Sequence, residues 1–140
     1  MVAVAAMIAT GDASDTVQTN DDELQLLLMA RRRAASPFVY GFFASESHPA
    51  PSIQRLALQR VDALHRHPPS WVVWNTEPYQ PTLDSLEANP TFTLLVKSTC
   101  REVLGAAAPY RVWRCRGLAS EPSLDGGTAL PAELLRPPSE

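Results

Sequence analysis

Apolar residues recur along the chain at two different spacings, which together predict alternating helices and strands. Three stretches repeat them at the three- and four-residue spacing of an amphipathic helix. These stretches lie at Asn20–Arg33, Ile53–Leu64 and Phe92–Val103. The first begins with a capping-box pattern, since Asn20 is followed three positions later by Glu23. Pro68 and Pro69 end the second helix because proline cannot continue the hydrogen-bond ladder.

Three shorter runs have the length and residue types of strands. They are Phe38–Phe43, Trp71–Asn75 and Tyr110–Cys115. The apolar run Val2–Ile8 is a candidate fourth strand at an edge, and the polar stretch Gly11–Asn20 is predicted to be a loop. Because strands that alternate with helices favour right-handed crossovers, the predicted fold class is α/β. We expect a small three-layer domain with a mostly parallel sheet of three to four strands, and with Leu56 and Val73 in its core.

The length of 140 residues fits a single domain. Residues 1–19 are predicted to be an N-terminal segment, either an edge strand or flexible, and residues 20–116 the α/β domain. From residue 117 to 140 Gly, Pro, Ser and Glu dominate, which predicts a disordered tail.

Composition removes several classes of function. The net charge of −3 argues against nucleic-acid binding, which requires a basic face to neutralise phosphates. The apolar run Val2–Ala9 is too short to cross a bilayer, so no transmembrane segment is predicted. Neither glycine-rich phosphate loop occurs, and no cofactor is predicted. Cys100 and Cys115 are too few and too far apart for a zinc site; one disulfide and two buried thiols both stay open.

Polar residues follow two of the predicted strands, where ligands bind in an open parallel sheet. The loops 44–51 and 75–81 carry six candidate binding residues, namely Ser45, Glu46, His48, Asn75, Glu77 and Tyr79. A histidine beside two carboxylates suits acid–base chemistry or metal binding. The favoured alternative is that both loops are ordinary polar connections. No catalytic residue and no metal site is therefore predicted.

Short motifs in the same region carry a family resemblance. They are Val39-Tyr40-Gly41, Pro68-Pro69, Trp71-Val72-Val73 and Tyr110-Arg111-Val112-Trp113-Arg114. In this order they resemble the soluble C-terminal domain of multi-pass membrane glycosyltransferases that use lipid-linked sugar donors. The resemblance covers Pro37–Arg116, although Ser45–Pro51 departs from the family pattern.

The resemblance implies a non-catalytic accessory domain, because the catalytic acidic residues of that family lie in its membrane-embedded part. It also implies a membrane-embedded domain or protein as partner, and a periplasmic or extracytoplasmic location; without it, a cytoplasmic location is expected. Two alternatives stay open. One is a stand-alone α/β module that binds proteins through a sheet edge or an amphipathic helix. The other is a small-molecule- or metal-binding enzyme that uses the loops 44–51 and 75–81.

Overall fold

The computed structural model of the protein describes residues 1–20, 24–36, 44–77, 81–103, 106 and 108–115. Its helices are α1 (Val2–Ala9), α2 (Leu24–Ala30), α3 (Pro51–Arg66), α4 (Pro81–Asp84) and α5 (Pro90–Thr99). Its strands are β1 (Thr16–Thr19), β2 (Arg33–Ala34), β3 (Trp71–Asn75), β4 (Cys100–Glu102) and β5 (Tyr110–Cys115). The α/β class is thus confirmed, as are strands at Trp71–Asn75 and Tyr110–Cys115. The predicted strand Phe38–Phe43 and the predicted tail 117–140 lie outside the described residues.

Proline places the two longest helices. Pro51 and Pro90 each occupy the first turn of a helix, where a missing N–H costs nothing and the fixed φ favours helix. The helix α3 ends at Arg66, just before Pro68 and Pro69. The helix α5 ends at Thr99, and the chain turns directly into the strand β4.

The N-terminal run differs from its prediction. Val2–Ala9 is the helix α1 and not an edge strand. A run of eight apolar residues has no diagnostic period, so it fits a buried strand and a helix equally well. The alanines within it decide the outcome, because alanine has the highest helix propensity and a low strand propensity.

The sheet has five strands in the order β2-β1-β3-β5-β4. The strand β1 pairs in parallel with β2 and β3, whereas β5 pairs antiparallel with both β3 and β4. The expectation of a mostly parallel sheet of three to four strands in a three-layer domain is therefore not matched. The chain runs from α5 into β4 and returns through a short connection as β5, which lies between β3 and β4 and is antiparallel to both. This return makes the sheet mixed. The strand β4 was not predicted because it lies inside a helix-like pattern.

The strand β1 arises in a stretch that was predicted to be a loop. Its Gln18 is only 2% exposed, and polar partners make that burial tolerable. The Gln18 amide Nε2 donates to the Thr19 carbonyl at 2.9 Å, and the Ser36 hydroxyl donates to Gln18 Oε1 at 2.6 Å. The mostly polar strand β1 can thus occupy an inner position of the sheet, because its buried Gln18 side chain is hydrogen-bonded.

Alternating residues of β3 belong to two separate hydrophobic cores. Trp71 and Val73 pack with residues of α1, α2 and β5. Val72 and Trp74 pack with residues of α3, α5 and β5. Val73 is fully buried, as predicted, but Leu56 is only half-buried, because the inward stripe of α3 runs through Ala57, Val61 and Leu64 instead.

The cysteines form a disulfide between Cys100 and Cys115, which are directly opposite each other on β4 and β5. This settles the alternative that the sequence left open. In the part of the chain that the structure describes, no helix is both long and apolar enough to cross a membrane.

Candidate functional site

One of the residues predicted to bind a ligand, Asn75, is the last residue of β3 and lies beside Asn20 at the end of β1. Asn20 follows β1 and is 1% exposed. Its Oδ1 accepts the backbone N–H of Asn75 at 2.7 Å, while its Nδ2 donates to the Asn75 carbonyl at 3.0 Å and to the Asp84 carbonyl at 3.4 Å. The Asn20 side chain therefore continues the pairing of the two strands and ties it to α4.

The loop that starts at Ala44 is bound to the same short helix and to α5. The buried Ser45 hydroxyl donates to the Leu83 carbonyl at 2.6 Å. The two carboxylate oxygens of Glu46 accept the backbone N–H groups of Thr91 and Phe92 at 3.0 and 3.1 Å. These N–H groups belong to the first turn of α5, which has no partners within the helix, so Glu46 caps it.

The remaining candidates are more loosely placed. His48 is half-buried, and its Nδ1 accepts the backbone N–H of Ala50 at 3.0 Å, which fixes the turn before α3. The exposed Glu77 uses its backbone N–H to reach Asn75 Oδ1 at 2.9 Å. Tyr79 lies outside the described residues. The Ser45 hydroxyl thus contacts α4 directly and Asn75 is linked to α4 through Asn20, whereas none of the described contacts brings the His48 ring to either carboxylate. Ligand binding by these six residues stays a prediction.

A buried arginine that the sequence analysis did not single out lies next to this loop. Arg60 of α3 is 1% exposed; its Nη2 donates to Asn89 Oδ1 at 3.2 Å, and its guanidinium lies 4.9 Å from the centre of the Phe92 ring. Burial lowers the pKa of Arg60 to about 10, while the charges of Glu46 and Asp84 act in the opposite direction. A sequence signal existed, because Arg60 falls on the helical stripe of Ala57, Val61 and Leu64.

A second polar network lies at the opposite end of β1 and β3. Asp15 Oδ2 accepts the Trp71 Nε1–H at 3.0 Å and the Arg114 Nη1–H at 2.9 Å. The Arg114 guanidinium also lies 4.6 Å from the centre of the Trp71 ring. A Cβ at Gly11 would displace the Asp15 carboxylate from this position, so glycine fits beside it. The network joins β1, β3 and β5 in one contact.

A concave groove of about 510 Å³ lies elsewhere, between α5 and the antiparallel half of the sheet. Arg111 lines it and makes a bidentate ion pair with Glu102, with Nε–Oε1 and Nη2–Oε2 distances of 2.7 and 2.8 Å. This hydrogen bonding lowers the pKa of Glu102, and both side chains are well exposed. Arg111 also covers the Trp113 ring at 4.8 Å. The groove is separate from the loops 44–51 and 75–81.

The arrangement around Ser45, Glu46 and Asn75 is built to hold backbone in place. The Ser45 and Glu46 side chains bond to carbonyl and N–H groups of α4 and α5, and the Asn75 side chain accepts the backbone N–H of Glu77, which is how buried polar groups are normally satisfied. Among the residues that the structure describes, no three His, Cys, Asp or Glu side chains are grouped so as to hold a metal ion.

Substitutions of Glu46 and Glu77 test whether Glu46 caps α5. Glu46→Ala is expected to lower the free energy of unfolding by about 1 kcal/mol, because two N–H groups of α5 lose their acceptor. Glu77→Ala is the matched control and should change it by less than about 0.5 kcal/mol, since that side chain is exposed. Urea unfolding measures both. Equal effects of the two substitutions would contradict the capping role.

Comparison with known proteins gives no match of this chain to a family model, to a curated protein sequence or to a solved structure.

Proposed function

We propose that this chain is a non-catalytic, soluble accessory domain of a glycosyltransferase-like membrane protein. The observation that carries the proposal is the use of Glu46. A general acid or base must reach a proton of its substrate at hydrogen-bond distance. Both carboxylate oxygens of Glu46 instead accept N–H groups of α5. The motifs around Trp71–Val73 and Tyr110–Arg114 supply the glycosyltransferase part of the proposal through the family resemblance alone.

The disulfide supports an extracytoplasmic location for this domain. Cys100 and Cys115 are bonded across neighbouring strands, and structural disulfides persist mainly in oxidising compartments. A domain that accompanies a membrane-embedded transferase on the extracytoplasmic side meets that condition.

A transfer assay tests the proposal. The purified chain is incubated with a polyprenyl-phosphate-linked sugar and an acceptor, alone and with membranes of the cell that produces it. We expect no product from the chain alone. Membranes from cells in which the coding segment for residues 37–116 has been deleted should lose transfer. Product from the purified chain that disappears in Glu46→Gln or His48→Ala would overturn the proposal and favour the small-molecule enzyme. Unchanged transfer by membranes from the deletion cells would also contradict the proposal.

A further inference from the structure

The helices α1 and α2 lie side by side and end at the same place. Arg32, just after α2, donates through Nη2 to the Ala9 carbonyl at 3.1 Å and to the Gly11 carbonyl at 2.9 Å. These carbonyls belong to the C-terminal end of α1 and the turn after it. Arg32 is therefore held at the C-terminal ends of both helices, and Arg31 and Arg33 flank it in the sequence.

The outer surface of this helix pair is mostly apolar, and Gln25 is the exposed polar residue of α2. Neither α1 nor α2 contains a charged residue. The exposed fractions of their large apolar side chains are 69% for Val2, 46% for Leu24, 68% for Leu28 and 46% for Met29. The inner side chains, among them Ile8 and Leu26, are fully buried in the core. A helix that is apolar on all sides normally lies inside a protein or in contact with lipid.

A basic rim borders this surface at one end. Arg31 and Arg33 are exposed, and Arg32 is half-buried against α1. The whole chain has a net charge of −3, and the acidic residues Asp21, Asp22 and Glu23 directly precede α2 in the sequence, so its overall charge repels an anionic membrane. Attraction to such a surface must come from this local arrangement, in which apolar side chains enter the acyl boundary and guanidinium groups meet lipid phosphates.

We propose that the outer face of α1 and α2, with its rim at Arg31–Arg33, docks on the headgroup region of an anionic lipid bilayer. This proposal rests on the proposed function in one respect: it names the surface by which an accessory domain meets the membrane that holds its partner. Lipid phosphates complement the exposed guanidinium groups of Arg31 and Arg33, and acyl chains complement the apolar side chains beside them, so an anionic bilayer is the occupant proposed for this face.

Two leucines of equal exposure provide a matched test. Leu28 and Leu94 are each 68% exposed, but Leu94 lies on α5, away from the proposed surface. The full chain, Leu28→Glu and Leu94→Glu are floated with vesicles of phosphatidylcholine and phosphatidylglycerol, and with vesicles of phosphatidylcholine alone. We expect the full chain to bind the mixed vesicles more strongly. Leu28→Glu should weaken that binding by about tenfold, and Leu94→Glu should leave it unchanged.

Circular dichroism and thermal melting test whether each of the two variants keeps its fold. If Leu28→Glu unfolds, a second variant, Leu24→Gln, should weaken binding in the same direction. Absence of binding by the full chain, or equal losses in Leu28→Glu and Leu94→Glu, would overturn the proposal. A stable dimer that Leu28→Glu dissociates, without vesicle binding, would assign the surface to a second copy and overturn it too. Since no sugar donor is present, these outcomes are independent of the transfer assay.

Discussion

Trp74→Ala is expected to lower the free energy of unfolding by about 3–5 kcal/mol. Trp74 is 2% exposed, and its ring stacks on that of Phe92 with centroids 4.8 Å apart. Removing the indole deletes this contact and leaves a cavity between β3 and α5, which the surrounding side chains fill only in part. Chemical denaturation of the purified chain, with the disulfide intact, measures the loss.

Trp74→Phe is the control for this substitution. It retains an aromatic ring against Phe92 and removes less volume, so the expected loss is clearly smaller than for alanine. A loss below about 1 kcal/mol in Trp74→Ala would show that this core is not packed as described.

Arg60→Ala is expected to lower the free energy of unfolding by about 3 kcal/mol. The substitution leaves Asn89 Oδ1 without the guanidinium donor and removes the cation from the face of the Phe92 ring. It also takes a positive charge away from Glu46 and Asp84, which favour that charge. Thermal or urea unfolding at neutral pH provides the measurement.

Arg60→Met separates the charge from the volume of the side chain. Methionine fills much of the same space, and its burial avoids the desolvation that lowers the pKa of Arg60 to about 10. We therefore expect Arg60→Met to be closer in stability to the unchanged protein than Arg60→Ala. If methionine costs as much as alanine, the charge itself contributes the stability, through Glu46 and Asp84.

Residue spacing located some elements well. The helix α3 and the strands β3 and β5 agree with their predictions because each has a clear period or a dense run of β-branched and aromatic residues. The strand β1 was missed because Thr16–Thr19 is mostly polar. Its burial depends on the Ser36–Gln18 hydrogen bond, which joins residues 18 positions apart and leaves no local pattern.

The direction of a strand also could not be predicted from the pattern of apolar residues. An apolar run in a central strand has the same sequence signature whether its neighbour is parallel or antiparallel, so Tyr110–Cys115 was given the wrong direction. Recognising the short strand β4 just before Tyr110–Cys115 would have indicated the antiparallel direction. The pattern of Phe92–Val103 continues across the end of α5 at Thr99 and conceals that strand.

The sequence placed six candidate binding residues in the loops 44–51 and 75–81; ligand binding by them stays a prediction, and their contacts could not be predicted. The loop that begins at Ala44 contacts α4 through the Ser45 hydroxyl, whereas the end of β3 is linked to α4 through Asn20, which follows β1 and bonds to both the Asn75 and the Asp84 carbonyls. What the residue types of Ser45 and Glu46 could not show is that their partners are backbone groups of α4 and α5. Arg60 was passed over because an arginine on a helix is usually exposed, and its burial depends on Asn89 and Phe92, which lie far along the chain.

The inner position of β1 also has a consequence for synthesis on the ribosome. The strand β1 emerges early, but its hydrogen-bond partners on β3 follow much later; Asn20 and Asn75 are 55 positions apart. The partner of Asp15 at Arg114 is 99 positions away. Domains complete their folding only when their long-range partners have been made. The core that α1, β1 and α2 share with β3 and β5 is therefore completed only after nearly all of the sheet has been translated.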